Sequence, residues 1–192
     1  ACACHADRLV CGYRYYYEDE PDREDFFLPG SGTDADKSWI FCTPDTIGKV
    51  HHGTNGLMIR RSVVEACGRR FPGGLVCEDM YFHYVTYPFC KRASIVREPL
   101  YVYRKRAGSI TEEFTSGYSL KSLDYVKVAL LILEAWKEDG LIEEYRTAFL
   151  KMLVMSVRNV RKYAPHSEQK DVTRTVCRVL LSLIHISEPT RL

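Results

Sequence analysis

The stretch Glu78-Asp79-Met80-Tyr81-Phe82-His83-Tyr84-Val85-Thr86-Tyr87-Pro88 is followed by Ser94-Ile95-Val96 and by Leu100-Tyr101-Val102-Tyr103-Arg104. In the first segment Met80, Phe82, Tyr84 and Val85 lie close to helical spacing. Two acids open it and a proline follows it, so the spacing predicts a helix over Glu78 to Tyr87. The later segments are dense in β-branched and aromatic residues and predict two short strands. Upstream, Asp7 to Tyr17 reads as a strand through Leu9, Val10, Cys11 and a tyrosine-rich run. Glu18 to Asp25 is an acidic loop around Pro21, and Pro29-Gly30-Ser31-Gly32 is a second break. Residues 34–53 mix polarity and yield no firm element. Thr54 to Arg60 fits a turn and a short strand. A short helix is expected from Arg61, with Ser62 as its cap and Gly68 as its stop, then a turn at Phe71-Pro72-Gly73-Gly74.

Past Ser119 the hydrophobic period changes. Leu120, Leu123, Val126, Leu130 and Leu133 form one apolar stripe, widened by Val128, Leu131, Ala135 and Trp136 and stopped by Gly140. Ile142, Tyr145, Phe149, Met152, Leu153, Val157 and Val160 form a second, ending near Pro165, and Val172, Val176, Val179 and Leu180 begin a third. The expected fold class is therefore α/β over residues 1–115, followed by an α-helical appendage over 116–180. A chain of 192 residues buries roughly 70% of its extended surface, enough for a core without staples. Hydrophobic residues are 46% and charged residues 27%, which excludes disordered and collagen-like classes. With 27 basic against 25 acidic residues, a net charge of +2 gives no argument for nucleic acid. The longest wholly apolar run, Val128 to Leu133, is far short of the ~20 residues of a membrane span.

The eight cysteines are Cys2, Cys4, Cys11, Cys42, Cys67, Cys77, Cys90 and Cys177. Some sit in apolar runs and no secretory leader pattern is visible. They read as reduced, small hydrophobes of a cytosolic protein rather than as a disulfide framework. Cys2-Ala3-Cys4-His5 lacks the second ligand pair that a zinc site needs. The chain opens on Ala-Cys-Ala-Cys rather than Met, and Leu181 to Leu192 resembles the translation of a sequencing-library adapter. The expectation is a fragment whose last segment, 181–192, carries no function.

Two groups of residues carry chemistry. Glu78-Asp79 places paired carboxyls at a helix start, where the macrodipole alone accounts for acids. Arg104-Lys105-Arg106-Ala107-Gly108-Ser109 sets guanidinium forks beside a glycine and a hydroxyl. That suits a phosphate-bearing ligand, and suits a solvated basic turn as well. In order and spacing, Phe71-Pro72, Glu78-Asp79-Met80-Tyr81-Phe82 and Tyr101-Val102-Tyr103-Arg104-Lys105-Arg106-Ala107-Gly108-Ser109-Ile110-Thr111 resemble the closing segments of the catalytic domain in glycosyltransferase family 2. The strand from Ala6 to Tyr13 and the segment Gly56 to Arg61 resemble the family too, so the resemblance spans about residues 1–111.

The resemblance implies a partial Rossmann-like, nucleotide-sugar transferase (GT-A type) domain performing inverting transfer of a sugar from a nucleotide-sugar donor to a glycan or lipid-linked acceptor, in surface polysaccharide or glycan synthesis. It implies Asp79 as the catalytic base, Glu78 as an acceptor contact, and Arg104, Arg106 and Ser109 at the nucleotide-sugar or diphosphate. It also implies a divalent metal, Mg or Mn, whose ligands lie mostly upstream. Asp34-Ala35-Asp36 is the one Asp-x-Asp here, in a loop with no apolar strand before it, and reads as a chance match. The fragment is therefore expected to be inactive alone. His51, His52, His83 and His166 read as dispersed, and the tyrosines at 13, 15, 16 and 17 as a strand face. Arg158, Arg161, Lys162, Lys170, Arg174 and Arg178 make the helical end basic, a solvated face or one suited to the cytoplasmic membrane surface. The other functional class left open is a non-catalytic α/β module whose basic helices bind a partner or nucleic acid.

Overall fold

The tyrosine-rich run does form a strand, and it is the axis of the sheet. The structure, a computed structural model, describes residues 5–30, 38–115 and 119–185. Its elements are strands β1 (Arg8–Tyr17), β2 (Asp25–Phe27), β3 (Trp39–Phe41), β4 (Leu57–Ile59) and β5 (Arg92–Lys105), and helices α1 (Arg61–Cys67), α2 (Glu78–Thr86), α3 (Ile110–Thr115), α4 (Asp124–Glu138), α5 (Ile142–Tyr163) and α6 (His166–His185). β1 runs parallel to β5 and antiparallel to β2 and β4, while β3 lies antiparallel on the far edge of β5. The first half of β1 is almost wholly buried. Its second half, paired with β5 and over Tyr13–Tyr15 also with β2, alternates between exposed and half-buried residues.

Two expected strands are one. Ser94 to Val96 and Leu100 to Arg104 both belong to β5, because Arg97 and Glu98 bulge out between Val96, paired with Cys11, and Pro99, paired with Gly12. A bulge is one of the few sheet positions that tolerates proline. Gly12 is needed there: a Cβ would stand 2.7 Å from the Phe27 carbonyl oxygen and 3.0 Å from that of Glu98. Ser62 does not cap α1; Arg60 holds that position without a side-chain bond, and Gly68, at φ 68°, ends the helix as expected. Residues 34–53, unreadable in sequence, contain β3 and a 3-10 turn at Ile47–Lys49.

α2 is buried nearly all round, through Met80, Phe82, His83, Tyr84, Val85 and Thr86. Its C-terminal carbonyls are satisfied from outside the helix. Pro88 has no N–H to return to Tyr84, and the indole Nε1–H of Trp136 on α4 donates to the Tyr84 oxygen instead, at 3.2 Å. The Cys67 thiol donates to the Val85 oxygen at 3.3 Å. One apolar core joins Val10, Ile40, Ile47, Met80 and Ile95 to Val128, Ile132, Phe149 and Met152, so the helices after residue 115 pack into the same interior as the sheet. α6 continues through residues 181–185, with Leu183 buried in that core; residues 186–192 lie outside the described residues. Cys2, Cys4 and Asp34-Ala35-Asp36 lie outside them too, and the six described cysteines are free.

Candidate functional site

Asp79 stands in the first turn of α2, half-buried, with Glu78 exposed beside it. The helix opens without a side-chain cap at Cys77, which takes the left-handed conformation at φ 68°. Met80 N–H donates to Asp79 Oδ1 at 2.7 Å, which fixes the carboxyl against its own helix. Burial pushes the Cys77 thiol up to about 12, opposed by a bond with the Tyr125 hydroxyl and reinforced by the nearby carboxyls of Asp79, Glu78 and Asp124.

Of the four histidines expected to be scattered, His51, His52 and His83 gather, the first two within electrostatic reach of this carboxyl, while His166 opens α6. His51 and His52 have ring centroids 5.4 Å apart, and His52 lies 6.4 Å from His83. His51 packs on Phe27 at 4.5 Å and on Tyr13 at 6.2 Å. Burial pushes His51 down to about 4, helped by His52 and opposed by the Asp79 carboxylate. His52 is lowered by burial, again against the pull of Asp79. His83 is lowered well below the ordinary imidazole value by burial and by the Arg8 and His52 charges; its Nε2–H donates to the Ile47 oxygen at 2.9 Å, and its Nδ1 has no partner. Asp79 thus lies within electrostatic reach of two imidazoles that burial keeps uncharged. The sequence did offer a signal, the doublet His51-His52 before Gly53, but it fell in a segment with no readable period.

Arg104, Arg106 and Ser109 form a separate group. Arg104 pairs with Glu18 on the outer face of the ribbon. Arg106 and Ser109 line a cleft of about 400 Å³ with Tyr17, Glu18, Lys105 and Glu112. Ser109 caps α3: its Oγ accepts from the Glu112 N–H at 3.2 Å, and the Glu112 carboxylate accepts from the Gly108 N–H at 2.5 Å. The cleft opens where Tyr17 pairs with Lys105, four residues past the Tyr13–Tyr101 pairing that reaches the histidines; at about 3.3 Å per strand residue that is some ~13 Å along the ribbon. The structure therefore groups Glu78 with Asp79, and Arg106 with Ser109, without joining the two.

Against known proteins, no family model matches the chain. A protein of Bacillus subtilis (strain 168) does. It is named "Putative glycosyltransferase EpsH" and is 27% identical over 152 residues, covering 78% of this chain and 43% of that protein. The chain thus spans under half the length of the relative it matches. Among the described residues no three or more His, Cys, Asp or Glu side chains are arranged to hold a metal ion. The divalent ion implied by the resemblance has no ligand set among them. What the Asp79 site can do is accept a proton. A carboxyl fixed at one oxygen, beside imidazoles that stay neutral, is a proton acceptor with no competing cation next to it.

Proposed function

We propose that this chain carries the acceptor side of a glycosyltransferase active site and that Asp79 is its general base. The observation that carries the reading is the setting of Asp79: it lies in the first turn of a buried aromatic helix, half-exposed, its Oδ1 tied to Met80, with His51 and His52 near it kept uncharged by burial. An acceptor hydroxyl is a weak nucleophile until its proton is taken. We assign that proton to Asp79 Oδ2 as the oxygen attacks the anomeric carbon and the nucleoside diphosphate departs from the opposite face, which makes the transfer inverting. General-base assistance of this kind contributes roughly 10²–10⁴-fold. Glu78, exposed one residue earlier, is placed to hold a second acceptor hydroxyl. Arg106 and Ser109 meet the diphosphate only if the ribbon tip turns toward Asp79 when donor binds, and Arg104 would have to leave Glu18.

We infer that the donor and metal half lies in sequence beyond this chain, that the acceptor belongs to surface glycan assembly, and that the protein works in the cytoplasm at the membrane face. Among the described residues no helix is long and apolar enough to cross a membrane. Surface attachment would then rest on the basic helices α5 and α6.

The test joins this chain to its donor half and measures nucleotide release from a panel of nucleotide sugars. Asp79→Asn is expected to lower kcat by about 10²-fold or more, with donor affinity by calorimetry unchanged. The 192-residue chain alone is expected to bind no donor. If Asp79→Asn transfers sugar at the parent rate, the base is elsewhere; a non-catalytic binding module predicts no nucleotide release from the parent with any nucleotide sugar.

A further inference from the structure

Between the 3-10 turn Ile47–Lys49, α5 and Tyr84 of α2 lies a cavity of about 320 Å³. Sites that take small molecules measure about 300–1,000 Å³. Its floor is apolar: Ile47, Ala148 and Met152 are buried there, and Met155 is half-buried beside them. Both methionines stand on α5, and their unbranched thioether chains adapt to the shape of an apolar guest.

The polar groups of the same cavity are not matched by the protein. Tyr84 is 6% exposed, and burial alone pushes its phenol up to about 12. Among the described residues its hydroxyl has no hydrogen-bond partner. The hydroxyls of Tyr87, Thr86 and Ser156, on equally buried side chains, each have one. A buried tyrosine ordinarily finds an acceptor for its O–H, so this donor is left for a guest. Lys49 and Lys151 line the cavity as exposed residues, with Asp45 beside them. Neither lysine is ion-paired among the described residues. Two lysines and one aspartate leave a single net positive charge at the mouth. That complements a monoanion better than a dianion such as a phosphate monoester.

We propose that this cavity binds an aliphatic carboxylate. Its chain lies on Ile47, Ala148, Met152 and Met155. Its carboxylate accepts from the Tyr84 hydroxyl and is balanced by Lys49 and Lys151, which act as point charges. The site uses none of the groups assigned to sugar transfer and does not depend on that reading.

The full chain is titrated by calorimetry with butanoate, hexanoate and octanoate at pH 7.5 and constant ionic strength. Affinity is expected to rise about two- to fourfold with each added methylene. Octanol and octyl phosphate, equal in chain length, are expected to bind more weakly than octanoate. Lys49→Gln with Lys151→Gln is expected to weaken octanoate about threefold or more and to leave octanol unchanged. Tyr84→Phe is expected to weaken octanoate about tenfold. Met155→Trp, which fills the cavity, is expected to abolish binding. Arg174→Glu with Arg178→Glu, on α6 and outside the cavity, is expected to change nothing. No octanoate binding, an affinity that ignores chain length, or an equal loss in the α6 reversals overturns the site. Octanol or octyl phosphate bound as tightly as octanoate overturns the carboxylate assignment. Octanoate held at parent affinity by folded Met155→Trp places the guest elsewhere and overturns the proposal. If that variant does not fold, the lysine pair and the chain series decide.

Discussion

His83 donates Nε2–H to Ile47 and leaves Nδ1 without a partner, so the folded protein holds it neutral. His51 and His52 are held neutral beside it, chiefly by burial. All three take protons near pH 6.5 once unfolded but only at lower pH when folded. Between those values the unfolded chain binds protons that the native chain refuses, so stability is whole above about pH 6.5 and is lost as pH falls. The expected outcome is a urea midpoint that drops from pH 7 to pH 5, above the range where carboxylates titrate. His83→Gln is expected to reduce proton uptake on unfolding at pH 5 by about one. A midpoint flat across that range would mean these imidazoles are charged in the native state, and His51 and His52 would then stand as cations near Asp79.

At the scale of elements, α2 shows a dependence that its own sequence does not reveal. Pro88 deprives Tyr84 of its helical donor, and Trp136 supplies one from α4 across 3.2 Å. Trp136 is fully buried against Tyr84, Tyr145 and Phe149. Trp136→Phe keeps an aromatic ring and removes the donor, leaving a buried carbonyl unmatched. The expected cost in chemical denaturation is about 1–3 kcal/mol, and Trp136→Ala should cost about 3–5 kcal/mol through the cavity. A negligible loss in Trp136→Phe beside a large one in Trp136→Ala would show that packing alone matters there. The apolar periods of α2, α4 and α5 were legible in the sequence because each helix buries a wide face. So was β1, through its dense β-formers. The segment holding His51, His52 and β3 was not, because β3 has three residues and is held by edge pairing to β5, a long-range contact that leaves no local period. Ser62 had the right chemistry for a cap but stands as the second residue of the helix, past the capping position that Arg60 takes. At the site, Glu78 and Asp79 were legible as an acidic helix start. Their histidine neighbours became visible only when the chain folded 36 residues back, from His83 to Ile47.

Over the whole molecule, charge is nearly balanced at +2 but unevenly spread. Arg158, Arg161, Lys162, Lys170, Arg174 and Arg178 are all exposed on α5 and α6. Of these, Arg174 is spent in part on Asp171, at 2.9 Å. A run of acids, Glu18, Asp19, Glu20, Asp22, Glu24 and Asp25, lies instead between β1 and the start of β2. A molecule with one basic end turns that end toward an anionic surface, and each cation near such a surface contributes about 1 kcal/mol, falling off within a Debye length of ~8–10 Å. Association should therefore be additive in these side chains and indifferent to apolar content. The full chain is expected to float with vesicles containing anionic phospholipid at low salt, and to stay behind with neutral vesicles or at high salt. Arg158→Glu with Arg161→Glu is expected to weaken binding about tenfold or more, since each change removes one favourable charge and adds an unfavourable one. Flotation that ignores anionic lipid content, or that survives both charge reversals, would separate the helical end from any membrane role and leave it a solvated face.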